Sequence, residues 1–229
     1  MRWKDLGLIV LCLFPVVVGC VGPESFSKPT AQIFSCVPAE IDPAASYLIY
    51  LHGAIIENEG VRPTHAEYGV YEYREILEVL AERGFVVISE ARPPGTDGML
   101  YASTVVDQVQ ALLDAGVAPN HVTVVGFSKG GGIAVVASSM LAHDDVNFVF
   151  IAACAPWLDG RPEIVGRGRL LALREVSDAL AGSCGEFFER SPSVHEHREI
   201  LLDLGGGHGA FYRPHAEWID PIVEWAGLE

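Results

Sequence analysis

Basic side chains are scarce in this chain: 15 Lys and Arg stand against 30 Asp and Glu among 229 residues, a formal charge of −15. So acidic a surface excludes nucleic acid and anionic lipid headgroups as partners of the folded domain, because both repel it. The phosphate-cradling motifs G-x-G-x-x-G and G-x-x-x-x-G-K-[ST] are both missing despite 24 glycines, which removes the common nucleotide-binding folds. Cysteines number five, and none has the spacing of a zinc or redox site. Long polar tracts are absent and half the residues are hydrophobic, which argues against disorder and for one globular domain. A membrane-spanning run is lacking too. The apolar stretch Leu6–Val18 falls short of the about 20 residues a bilayer requires, and Pro15 interrupts it.

That short apolar stretch follows Arg2 and Lys4, the arrangement of an export signal. Its end, Val17-Val18-Gly19-Cys20, resembles the lipobox of bacterial lipoproteins, in which small residues precede a lipidated cysteine. The resemblance implies a leader over residues 1–19, lipidation of Cys20, and attachment to the cell envelope by the lipid alone. An ordinary cleaved signal, giving a periplasmic or secreted protein, is the alternative. Residues 20–30, with Pro23, Ser25, Ser27 and Pro29, read as a tether, and residues 31–229 as the folded domain. Export permits disulfides. Cys154 and Cys184 each follow a predicted strand, so they are expected to pair, leaving Cys36 free.

From residue 31 the pattern alternates. Apolar, β-rich runs lie at Tyr47–Leu51, Phe85–Ser89, His121–Gly126, Phe148–Ala153, Leu170–Leu173 and Ile200–Leu204. Between them run helical periodicities, one through Tyr73, Ile76, Leu77 and Leu80 closed by Gly84, another through Val105, Val109 and Leu112 closed by Gly116. Near-continuous apolar strands alternating with helices predict a mostly parallel sheet covered on both faces. At the C-terminus, Pro221 after Asp220 predicts a fresh helix start there.

Four motifs sit at the ends of these strands. Gly126-Phe127-Ser128-Lys129-Gly130 joins a strand to a glycine-rich helix, the strand–sharp turn–helix of a nucleophile elbow with serine at its apex. Upstream, Tyr47–Leu51 runs into His52-Gly53. Downstream, Arg169–Leu173 runs into Arg174-Glu175-Val176-Ser177-Asp178. Last, Asp203-Leu204-Gly205-Gly206-Gly207-His208-Gly209 carries a histidine on a flexible turn. His195-x-His197 lacks further ligands and reads as a solvated loop, and His215 reads as a rival histidine on a helix.

The order serine, acid, histidine resembles the α/β-hydrolase superfamily, in particular its small dienelactone-hydrolase or acyl-peptidase-like members. The resemblance spans about residues 45–227. It implies an α/β-hydrolase fold without a large cap domain, because only residues 155–168 are available where lidded lipases insert one. It implies Ser128 as nucleophile, His208 as general base and then acid, and Asp178 as the carboxylate that orients it, with Glu175 the rival for that place. It also implies an oxyanion hole from the backbone N–H groups of Ala54 and Lys129. No metal or cofactor is expected. The Lys129 side chain reads as solvated. Arg92, in Glu90-Ala91-Arg92-Pro93-Pro94-Gly95, is expected either to face an anionic substrate at the rim, or to cap a turn or pair with Glu90. The connection Ala54–Tyr71 is expected to wall the pocket. The function implied is hydrolysis of a small or exposed carboxylic ester through an acyl-enzyme. Amide or peptide cleavage with the same groups is one alternative, and a catalytically silent envelope lipoprotein that binds a partner is another.

Overall fold

The computed structural model describes residues 32–141, 143–154 and 156–228. The leader over 1–19, Cys20 and the tether through residue 30 lie outside the described residues. The elements are β1 (Ile33–Phe34), β2 (Ser46–Leu51), α1 (Ala54–Glu59), β3 (Thr64–His65), β4 (Gly69–Val70), α2 (Tyr73–Glu82), β5 (Phe85–Ile88), α3 (Gly98–Asp114), β6 (Val122–Phe127), α4 (Lys129–Met140), β7 (Asn147–Ile151), β8 (Arg169–Glu175), α5 (Gly185–Glu189), β9 (His197–Leu202) and α6 (Ala216–Trp225). Seven strands form one sheet in the order β1-β5-β2-β6-β7-β8-β9, every neighbouring pair parallel. β3 and β4 make a separate antiparallel ribbon.

The central strands β2, β5, β6 and β7 read as near-unbroken apolar runs because both faces of the sheet are covered there, whereas the edge strands β1 and β9 are more exposed. Alternate residues still part company. Tyr47, Ile49, Val122, Val124, Phe148 and Phe150 pack toward Val105 and Val109 of α3 and Ile133 and Ala137 of α4. Leu48, Tyr50, Val125, Phe127, Val149 and Ile151 pack toward Ile76 and Leu80 of α2 and Trp218 and Ile222 of α6. This is the two-residue period of a strand expressed as two cores rather than as inside and outside. Asp97 caps α3, its carboxylate accepting from the N–H groups of Met99 and Leu100.

Two features bear on the sequence expectations. α6 runs unbroken through Pro221 instead of starting there. Proline removes one helical hydrogen bond, but Trp218, Ile219, Ile222 and Val223 form a single buried stripe across it, and that burial holds the helix together. Among the described residues, the stretch between β7 and β8 holds only a short 3-10 turn, Pro156–Leu158, so no large cap domain is inserted there. A disulfide joins Cys154, just past β7, to Cys184 at the start of α5, with Cα atoms 5.2 Å apart; Cys36 is free and exposed. Among the described residues, no helix is long and apolar enough to cross a membrane.

Candidate active site

The strand order turns back on itself at β5-β2-β6, which opens a crevice above the C-terminal ends of β2 and β6, the place where ligands enter sheets of this kind. Ser128 stands there, between β6 and α4, with φ 53° and ψ −116°. A side chain at positive φ costs of order 1–3 kcal/mol, and such strain gathers at functional sites. Neighbouring glycines make the turn sterically feasible. A Cβ on Gly126 would fall 2.2 Å from the Gly130 carbonyl oxygen, and one on Gly130 would fall 1.9 Å from the Leu51 carbonyl oxygen. β2, β6 and α4 can approach this closely only without those atoms.

The Ser128 Oγ lies 2.8 Å from His208 Nε2, and His208 Nδ1 lies 2.8 Å from Asp178 Oδ2. Residues 80 and 30 positions apart thus form one hydrogen-bonded chain. The other Asp178 oxygen accepts from the N–H groups of Leu180, at 2.8 Å, and Ala181. Burial pushes the Asp178 carboxyl upward, but the His208 contact and these amide donors outweigh it and hold the group below its ordinary value. Glu175 is turned elsewhere. Its carboxylate accepts from the Ser177 N–H and hydroxyl, both at 2.6 Å, and from the Gly205 N–H at 3.2 Å. It therefore ties the turn bearing Asp178 to the turn bearing His208.

Ala54 and Lys129 are the first residues of α1 and α4, so their N–H groups have no carbonyl one turn earlier to bond. The β2–α1 turn adjoins the serine: a Cβ on Gly53 would lie 3.7 Å from the Ser128 Cβ. His52, fully buried, governs this turn. Its Nε2 accepts from the Arg92 N–H at 2.9 Å, so the ring proton sits on Nδ1 and is donated to the Gly53 carbonyl, 2.8 Å away. That carbonyl belongs to the same planar peptide as the Ala54 N–H, and fixing one fixes the other. Burial, reinforced by the adjacent Arg92 cation, lowers His52 to about 4, which keeps it neutral.

Two sequence expectations are revised at this point. Arg92 neither stands at the rim nor pairs with Glu90, and of the expected places it takes that of a cap on a turn. It is buried, its Nε donating to Glu57 Oε1 at 3.0 Å and its Nη2 to the His52 carbonyl oxygen. The Lys129 side chain is only partly solvated, since Nζ donates to Glu57 Oε2 at 2.5 Å and to the Thr96 carbonyl at 2.6 Å. Both follow from Glu57, a buried carboxylate one turn into α1 that must be paired and hydrogen-bonded to be tolerated. The sequence hint was slight: one acid following Ile55-Ile56.

At the level of sequence, no protein-family model and no curated protein matches the chain. Solved structures do resemble it. A lidless α/β serine hydrolase from Xanthomonas campestris superposes with a TM-score of 0.54 at 14% identity, over 84% of this chain and 86% of that one. A CIB-like hydrolase from Thermoplasma acidophilum gives 0.53 at 14%, over 81% and 88%. The fold is that of the α/β hydrolases. A bifunctional GH43-CE protein of Bacteroides eggerthii gives 0.56 at 11% over 83% of this chain, which spans only 35% of that protein. At such identities the likeness is one of fold.

Within this α/β-hydrolase frame, two cavities meet at His208. One, of about 440 Å³, is reached by Ser128, Lys129 and His208 and is walled mainly by apolar groups, among them Met99, Ile133, Val136, Ala153, Trp157 and Leu180. The other is polar, includes Tyr68, Ser177, Gly205 and Arg213, and touches His208 but not Ser128. The expected wall, Ala54–Tyr71, thus lines only the polar side, through Glu67, Tyr68 and Gly69. The apolar wall comes from the start of α3, from α4 and from the loop around Trp157. Its members lie far apart along the chain, so no local sequence pattern marks it. Ala152, also in that wall, is the second non-glycine residue at positive φ, 47°; nothing in the sequence signals it.

Proposed function

We propose that the protein is a serine hydrolase that cleaves a carboxylic ester through an acyl-enzyme. The observation that carries this reading is the unbroken chain Asp178–His208–Ser128, ending on a serine held in strained backbone. In this account Ser128 Oγ bonds to the ester carbonyl carbon while its proton passes to His208 Nε2. The carbonyl π pair moves onto oxygen, beside the N–H groups of Ala54 and Lys129, where two fixed donors stabilise the charge that develops. Collapse breaks the bond to the alcohol oxygen, which leaves with the proton from His208. Water then repeats the sequence on the acyl-enzyme, releasing a carboxylic acid and free Ser128. Asp178 holds the Nδ1–H tautomer and stabilises the imidazolium.

The test is turnover of p-nitrophenyl butyrate by the wild type and by Ser128→Ala. The variant should lose several orders of magnitude in kcat; equal rates would sink the mechanism.

We also propose that the protein is exported and held at the cell envelope through lipidated Cys20. Support comes from the leader pattern and from the Cys154–Cys184 disulfide, a bond suited to an oxidising compartment. Intact-mass analysis of the membrane fraction should find a chain lacking residues 1–19 and carrying lipid, and Cys20→Ser should release it. A soluble wild type with an unmodified Cys20 would contradict this.

A further inference from the structure

We infer that the apolar cavity beside Ser128 is an acyl-chain pocket, and that the preferred substrates are esters of medium-length aliphatic or aryl-aliphatic acids rather than acetyl esters. The inference rests on the serine-hydrolase reading of the site. Its first support is position. The acyl carbon must bond to Ser128 with its oxygen toward Lys129 N–H, and both residues line the apolar cavity, whereas the leaving alcohol need only reach His208, which the polar cavity also touches. The acyl group therefore belongs on the apolar side and the alcohol on the polar side.

The second support is chemistry. The charged groups in the apolar wall are largely occupied: the Asp97 carboxylate caps α3 and the Lys129 ammonium is held by Glu57 and Thr96. Arg161 lies exposed, its guanidinium 4.0 Å from the Met99 sulfur. Most of what faces the cavity is hydrocarbon, thioether and indole, with Ser128, Lys129, Arg161 and His208 among its polar lining. Met99, Trp157 and Leu180 are partly exposed, at 41%, 36% and 59%. Large apolar side chains gathered around one opening mark a surface that an apolar partner covers. The volume falls within the range of small-molecule sites, and an acetyl methyl would leave most of it unfilled.

The third support is the narrow wall at Gly132. On α4 it packs against the Trp157 indole, which a Cβ there would meet at 3.4 Å, and both residues line the cavity. A larger side chain would push the indole from its place and reshape the cavity that both residues line.

The experiment compares kcat/KM for p-nitrophenyl acetate, butyrate, hexanoate and octanoate in the wild type and in Gly132→Leu, with fluorophosphonate labelling of Ser128 as the check on folded, reactive protein. Each methylene that enters the pocket should raise kcat/KM by about fourfold, the factor that 0.8 kcal/mol of burial corresponds to. The rise should continue at least to butyrate and be seen in kcat/KM. Gly132→Leu should lower hexanoate turnover about tenfold more than acetate turnover, while leucine's better helix propensity keeps α4 folded. A flat or falling series in a wild type that labels at Ser128 and hydrolyses acetate would overturn the pocket but leave the hydrolase reading standing. A rising series that Gly132→Leu leaves unchanged would likewise overturn it. No labelling and no turnover of any ester by folded protein would overturn both readings.

Discussion

Lys129 Nζ lies 2.5 Å from Glu57 Oε2, joining the first residue of α4 to the helix that Ala54 begins. The same carboxylate binds Arg92, which donates to the His52 carbonyl oxygen, so one buried acid braces both proposed oxyanion donors. Removing one member of a buried ion network typically costs 3–5 kcal/mol, because the remaining charges lose their partner. Glu57→Gln should therefore destabilise the fold by about that amount in denaturant titration. It should also lower kcat more than it raises KM, since the donors act on the transition state. An unchanged unfolding midpoint would show that the network contributes nothing.

His52 gives a pH signature. Its pKa falls from 6.5 to about 4 on folding, so the unfolded chain binds more protons between those values. Its contribution is complete above pH 6.5 and is lost as pH falls toward 4. The stability difference between wild type and His52→Asn should thus narrow across that window by on the order of 3 kcal/mol. A difference constant with pH would refute the neutral, proton-donating role on Nδ1.

Asp178 and Glu175 should separate cleanly. Asp178→Asn removes the group that orients His208 and should cost about 10⁴-fold in kcat with little change in melting temperature. Glu175→Gln weakens the tie between two turns, so melting temperature should fall while activity at low temperature persists. The opposite pattern would exchange their roles.

The Cys154–Cys184 bond closes a 30-residue separation around the loop that carries Asp178. Replacing both cysteines by serine should cost about 3–4 kcal/mol by the chain-entropy argument. Kinetic assay should show a lower kcat, because the Gly182 N–H bonds the Cys154 carbonyl beside the acid loop. Full stability in reductant would contradict this.

The fold was legible because parallel strands buried on both faces must be continuous apolar runs, and each run found here became a strand. The elbow was legible because its glycines answer to contacts with the adjoining backbone. Asp178 was preferred to Glu175, three residues away, only through the family resemblance, since the register of β8 against the His208 turn decides which carboxylate meets the ring. The ion partner of Arg92 and Lys129 was hidden for a related reason: Glu57 is 35 and 72 positions away. Pro221 misled because a local helix rule yielded to the burial of Trp218 and Ile222.

The central claim is that Ser128 is a nucleophile activated by His208, and covalent labelling with a fluorophosphonate, read by intact mass, tests it most directly. The wild type should carry one adduct and Ser128→Ala none, and labelling of His208→Ala should be slowed by orders of magnitude. Folded wild type that takes no adduct, or an adduct that persists in Ser128→Ala, would contradict it.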